Sequence, residues 1–185
     1  MTKYFAGIGS RSTPLIIQDY MSEIASVAAN ENWILRSGGA SGADSAFEEG
    51  CDAANGEKQI FLPWNNFRKK VSQYKEPIPE AYEIAATIHP NFKYLKVVAK
   101  KLLARNMHQI LGPNLDEPCD LVICYTPDNC THHSQYSKLT GGTGSAIALA
   151  SKHNIPIFNL CDETKITSCI KFLIDNAPQK IDYLL

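Results

Sequence analysis

Arg11 follows Gly9 and Ser10, Arg105 precedes Asn106, and Asp44 and Glu48 stand four residues apart. These are the side chains with chemistry to offer. A guanidinium grips a phosphate through two parallel N–H donors. A carboxylate activates water or stabilises an oxocarbenium-like centre in hydrolysis of an N-glycosidic bond, or it accepts hydrogen bonds from ribose hydroxyls. On a helix, a spacing of four puts Asp44 and Glu48 on one face, with Asp44 in the first turn, where the helix dipole favours an acid. Each also has a plainer reading. Arg11 is a surface arginine paired with a carboxylate; Asp44 is a first-turn acid with Glu48 as an exposed neighbour.

Three glycine-bearing turns surround these residues in the chain. They are Gly7-Ile8-Gly9-Ser10-Arg11, Ser37-Gly38-Gly39-Ala40-Ser41-Gly42-Ala43-Asp44 and Thr140-Gly141-Gly142-Thr143-Gly144-Ser145. Each lies between an apolar strand-like run and a helical pattern. Glycine lets backbone N–H groups approach an anion closely, and the following helix N-terminus adds unpaired donors and a favourable dipole. In an open α/β sheet, ligands bind at the carboxyl ends of the strands, where such turns lie. The ligand-binding set expected from these turns is Gly9, Ser10, Arg11, Ser37, Gly38, Gly39, Ala40, Ser41, Asp44, Gly141, Gly142, Thr143, Gly144 and Ser145. Asp44 and Glu48 are the candidate catalytic acids.

The elements that must position these residues follow from periodicity. Strands are expected over 4–8, 33–37, 59–62, 120–125 and 155–160. Thr13 is read as an N-cap with Pro14 in the first turn of a helix carrying Ile17, Met21, Ile24, Ala25 and Ala28. Further helices are expected over 43–54, 80–87, 92–111, 144–153 and 166–176. In the 92–111 helix, Leu95, Val98, Ala99, Leu102, Leu103 and Met107 are read as facing inward. Strands alternating with helices imply right-handed crossovers and a doubly wound, Rossmann-like parallel sheet of five strands in the order 3-2-1-4-5. Residues 64–90, punctuated by Pro77, Pro79 and Pro90, read as an insertion or lid within one domain spanning 1–185.

Bulk composition narrows the classes. The chain has 185 residues, 44% apolar and 20% charged, with a formal net charge of -1. That balance suits a soluble globular domain and gives no overall attraction to nucleic acid. No stretch approaches the roughly 20 apolar residues of a membrane helix. No leader is visible before the first strand, and six cysteines without a Cys-x-x-Cys pair read as reduced thiols in the cytoplasm.

Gly9-Ser10-Arg11, the 37–44 glycine turn, Arg105-Asn106 and Gly141-Gly142-Thr143 together resemble the SLOG superfamily. That group includes the DNA-processing (DprA/Smf) recombination mediators, the lonely-guy phosphoribohydrolases and nucleotide-sensing domains. The chain is similar to its small DprA-like members of the bacteriophage type. The resemblance implies a nucleotide phosphate or ribose pocket lined by residues 9–11 and 38–44, with 141–145 on the far side. It also places Arg105-Asn106 beside that pocket. The lonely-guy signature Pro-Gly-Gly-x-Gly-Thr-x-x-Glu is altered here: Thr140 replaces the Pro, Ser145 the Thr, and Ala148 the catalytic Glu.

Three function classes follow. The first is a nucleotide-binding sensor, carrier or sequestering module. The second is an N-glycosidic hydrolase or transferase using Asp44 or Glu48. The third is a single-strand DNA binder in recombination, for which Lys93, Lys96, Lys100 and Lys101 offer a basic patch or simply a solvated helix face. Cys130, His132 and His133 match no standard zinc spacing, and adjacent histidines on a loop are expected to point apart. No metal or cofactor is expected. The loop over 126–140 is expected to cover the pocket, and His89-Pro90 and Pro63-Trp64 to stack on a base or pack the insertion. The wide apolar stripe of 92–111 suggests a homodimer, with the insertion as the alternative cover.

Overall fold

The computed structural model describes residues 1–179, so the end of the expected 1–185 span lies outside the described residues. Five strands, β1 (Lys3–Gly9), β2 (Trp33–Ser37), β3 (Lys58–Ile60), β4 (Leu121–Tyr125) and β5 (Ile157–Asn159), form one sheet in the order β3-β2-β1-β4-β5. Every pairing is parallel. The fold is the α/β doubly wound type with the strand order expected from the sequence. The helices are α1 (Leu15–Asn30), α2 (Ala43–Ala53), α3 (Pro79–Ile88), α4 (Val97–Leu111), α5 (Gly144–Lys152) and α6 (Lys165–Asp175).

The pleat of each strand divides the core into two layers, because successive side chains leave a sheet on opposite faces. Phe5, Leu35, Leu121 and Ile123 meet α1, α2 and α6 on one face. Ala6, Ile8, Val122 and Cys124 meet α3, α4 and α5 on the other. Strands buried on both faces read as continuous apolar runs, which is why they were visible in the sequence.

Three local expectations are corrected. The 92–111 segment is not one helix: a single 3-10 turn at Phe92–Tyr94 is followed by extended Leu95 and Lys96 before α4 starts. Phe92 and Leu95 pack against the core beside α3, and the extended pair lets the chain change direction to do so. Within α4, Leu103, Met107 and Ile110 face the core, whereas Val98 is 56% exposed. Thr13 does not cap α1; Pro14 holds that position, and the Thr13 hydroxyl donates to Ser10 O at 2.7 Å, closing the first glycine turn. The edge strands β3 and β5 are shorter than expected, each continued at its C-terminal end by a backbone bond, Phe61 N to Ser37 O and Leu160 N to Cys124 O.

Arg36 is a buried strand residue that periodicity does not explain. It is fully buried in β2, with its guanidinium 3.7 Å from the centre of the Tyr4 ring. It donates to Gln59 Oε1, Glu117 O and Glu117 Oε2 at 2.6–2.8 Å. Gly112 ends α4 at φ 78, and a Cβ there would sit 2.9 Å from Arg36 Nη2. One cation thus joins β1, β2, β3 and the connection from α4 to β4.

Gly50 sets the approach of α1 to α2. A Cβ at Gly50 would lie 1.9 Å from the Ser22 carbonyl oxygen. A mid-helix Gly→Ala change ordinarily stabilises by about 0.5–1 kcal/mol. Here Gly50→Ala is expected to destabilise, by about 1–3 kcal/mol of overpacking. Chemical denaturation reads the sign directly, and a higher midpoint would show that the two helices are not in contact at this position.

Candidate ligand site at the glycine-turn edge

A cavity of about 910 Å³ opens at the carboxyl ends of β1 and β4. All three glycine turns reach it. Gly9, Ser10 and Arg11 come from the first, Ala40 and Asp44 from the second, and Thr140, Gly141, Gly142 and Thr143 from the third. Arg105 and Asn106 enter from α4, and Trp64 and Phe67 from the segment after β3. Arg11 is exposed and forms no salt bridge among the described residues.

The turns are locked together by close glycine contacts. A Cβ on Gly42, at φ 78, would lie 2.6 Å from Arg11 O and 2.7 Å from Ser10 O. Only a bare backbone with that positive φ lets the second turn seat on the first. The Ser37 hydroxyl adds a 2.8 Å bond to Gly7 O. Gly38 does something different. Its absent side chain leaves the space that Arg105 Nη1 occupies, where a Cβ would be 1.2 Å away.

Through that space Arg105 reaches Asp44 at 3.1 Å, both side chains being nearly buried. The same Asp44 oxygen accepts the Ala40 N–H at 3.1 Å, which ties the turn to its own helix. Asn106, the next residue, donates to Gly142 O at 2.9 Å and to Ser145 Oγ at 3.0 Å. Ser145 also donates to Gly142 O. Arg105 holds the second turn and Asn106 the third.

Of the expected ligand set, Ser37, Gly38, Gly39, Ser41, Gly144 and Ser145 lie outside the cavity wall. Most of them make contacts that position the turns. Gly39, at φ 68, packs against Lys70 and Leu62, and Gly144 provides the seat of the Tyr136 ring, 2.4 Å from where its Cβ would be. The two candidate acids stay neighbours on α2, but only one of them reaches the cavity. Asp44 lines the cavity, but Glu48 does not; it pairs with Lys70 at 2.6 Å. Burial pushes the Glu48 carboxyl up, and the Lys70 hydrogen bond and charge act against that shift. Ala148 is buried in α5.

Two anchors were missed by the sequence reading. Asp128 accepts from the hydroxyls of Thr140 and Ser137 at 2.5 and 2.8 Å. Burial acts to raise the Asp128 carboxyl, but the hydrogen bonds from Thr140, Ser137 and Thr126 prevail and hold it below its ordinary value. Asn159, buried at the end of β5, donates to Thr126 Oγ1 and Cys130 O and accepts from Thr126 N. The Thr126-Pro127-Asp128 sequence is a turn signature that pointed to Asp128; nothing local pointed to Asn159. The His132 and His133 rings do not point apart: their centres are 4.0 Å from each other, and both bond to serines. Among the described residues no group of three metal-ligating side chains comes together. No helix among them is long and apolar enough to cross a membrane.

His108 anchors the segment after β3 to the end of α4. It is buried, accepts from Ile78 N at 3.2 Å through Nε2, and bonds Gly112 O at 3.0 Å through Nδ1. It stacks on Phe61, with Lys75 and Glu76 beside it around a cavity of about 260 Å³. Accepting at one nitrogen and donating at the other requires the neutral ring. Burial lowers its pKa, with the Gly112 and Pro113 carbonyls opposing.

No family model matches the sequence, and no curated protein matches it. Among solved structures the chain is similar to DNA processing protein A from Streptococcus pneumoniae, at 12% identity and a TM-score of 0.39. The alignment covers 89% of this chain and 60% of that one, so the chain spans less than two thirds of the protein it matches.

Two outcomes follow from the buried groups. Arg105→Ala leaves Asp44 buried without its cation and is expected to destabilise by about 3–5 kcal/mol, measured by chemical denaturation. An unchanged midpoint would mean that the ion pair does not hold the turn. His108 has a lowered pKa in the folded state, so the unfolded chain binds the proton more readily. Its contribution is complete above the ordinary histidine value of about 6.5 and is lost as pH falls through the lower folded value. Melting temperature should fall over this interval, and less in His108→Asn; parallel pH curves would exclude His108 as the group responsible.

Proposed function

We propose that this protein binds a nucleotide or nucleotide-derived ligand at the 910 Å³ cavity, as a sensor, carrier or sequestering module. The observation that carries the reading is the convergence of three glycine turns and Arg11 on one cavity. Further support comes from Gly141 and Gly142, where an added Cβ would meet no heavy atom within 4 Å. Their backbone therefore lies open to a ligand. On the sequence motifs the chain is assigned to the SLOG superfamily, among its small DprA-like, phage-type members. Six free cysteines, five of them buried, suit a reducing cytoplasm.

Asp44 on the cavity wall keeps N-glycosidic hydrolysis as a second reading. Its hydrogen bonds to Arg105 and Ala40 suit a positioning acid, and Glu48, the other candidate carboxylate, is paired with Lys70 off the cavity wall. Release of free base from nucleoside monophosphates, abolished in Asp44→Asn, would establish hydrolysis. Single-strand DNA binding in recombination is the third; a gel shift at low salt that weakens steeply as salt is added would support it.

A homodimer is proposed on the exposed apolar residues Tyr94, Val97, Val98 and Leu139, which are 56–75% exposed. Light scattering at micromolar concentration tests it, and a monomer mass overturns it.

Arg11→Ala is expected to leave folding intact, since Arg11 has no salt-bridge partner among the described residues. It should weaken a phosphorylated ligand by about 1.5–3 kcal/mol, the contribution of a charge-assisted hydrogen bond. Calorimetry with nucleoside monophosphates and inorganic pyrophosphate measures it. Equal affinities of wild type and variant would place the phosphate elsewhere.

A further inference from the structure

Gly141 and Gly142 line two cavities at once. One is the cavity described above. The other, of about 600 Å³, is bounded by His89, Leu95, Ala99 and Tyr136. Leu102 and Leu103 are also shared between the two. At the common boundary the glycines present bare backbone, and the space where their side chains would be is empty to 4 Å. No side chain of either glycine separates the two spaces.

Each cavity has its own pair of rings. Trp64 and Phe67 stand at 83° with centroids 4.9 Å apart, and both line the first cavity. His89 and Tyr136 stand at 74° with centroids 6.2 Å apart, and both line the second. A perpendicular pair leaves at least one ring with both faces unused by its partner, which is the surface a flat heterocycle stacks on. Tyr136 is held from behind by its seat at Gly144, and its loop is held by Asp128 through Ser137 and Thr140. Pockets of roughly 300–1,000 Å³ each accept one drug-sized group. A mononucleotide has one base and can stack on only one of the two ring pairs.

We infer that the ligand is a small dinucleotide: two planar bases joined through phosphates, one base in each cavity, with the bridging phosphates over the Gly141-Gly142 backbone. This rests on the nucleotide reading above and extends it from one site to two. Arg11 and the turn amides supply the anion contacts, Trp64 and Phe67 meet one base, and Tyr136 with His89 meets the other. The apolar floor of the second cavity, from Leu95, Ala99 and Leu102, suits a ring rather than a third phosphate.

The test is calorimetry with symmetrical dinucleoside pyrophosphates carrying adenine, guanine or uracil, each beside its own monophosphate, and with an oligothymidylate. Two variants change residues that line the second cavity and not the first: Ala99→Trp fills it, and Tyr136→Ala removes its platform. Thermal melts confirm that both fold. At least one dinucleoside pyrophosphate is expected to bind more tightly than its monophosphate. Each variant should remove about tenfold of that affinity, the loss of one base–aromatic stack, while monophosphate affinity is unchanged. Equal binding of the two ligands by the wild type, or equal weakening of both by the variants, overturns the two-base ligand and leaves the single-site reading standing. Binding of neither overturns both. Preference for the oligothymidylate replaces the small ligand by a strand.

Discussion

Arg105 and Asn106 are consecutive residues of α4, and they hold two different glycine turns. Helical neighbours point about 100° apart, so one helix can address two loops that arrive from different strands. Arg105 takes Asp44 and Asn106 takes Gly142 and Ser145. The distance between the second and third turns is therefore set by a single turn of helix, not by the loops themselves. Gly38 is a condition of this arrangement, because any side chain there would occupy the place of the Arg105 guanidinium. Loops rich in glycine are otherwise free to move; here the freedom that lets the turns approach each other is removed by one ion pair and one amide.

The helix can act as a clamp only if its own end is fixed, and Arg36 does that. Its guanidinium sits between Tyr4, Gln59 and Glu117, and Gly112 terminates α4 against it. The pocket edge and the opposite end of α4 are thus held by two arginines, one from the helix and one from the sheet. His108, one turn before the helix end, extends the same anchoring to the segment that carries Trp64 and Phe67. Sheet, clamp and wall are linked through α4.

Strand order and the gathering of the three turns were legible in the sequence because both depend on local signals. Buried parallel strands read as apolar runs, and glycine turns follow them. What was not legible depends on contacts far apart in the chain. Glu48 looks like the helical neighbour of Asp44, but a residue 22 positions later takes it as an ion-pair partner. Val98 fits the apolar stripe of α4, yet it is 56% exposed and lies on the cavity wall at helical spacing with Leu102 and Arg105. Asn159 makes one local bond, accepting from Cys161 N, but the partners that tie it to the 126–130 loop lie 29 and 33 residues away. Gly38, Gly144 and Ser145 were read as contacts for a ligand from their turn type and from the family resemblance. The structure places Arg105, Tyr136 and Asn106 against them.

The segment between β3 and α3 holds three non-glycine residues, Asn66, Arg68 and Lys69, at positive φ around Phe67. For Arg and Lys this left-handed backbone costs about 1–3 kcal/mol each. The segment stays in place because Lys70 is tied to Glu48, Ser72 to Ile60 O, Leu62 to Tyr74 O and Ile78 to His108. The strain sits between the two aromatic residues of the cavity wall and the four tethers that follow or flank them. The wall of the cavity is thus held from outside it, by residues of α2, β3 and α4 that a ligand there does not touch.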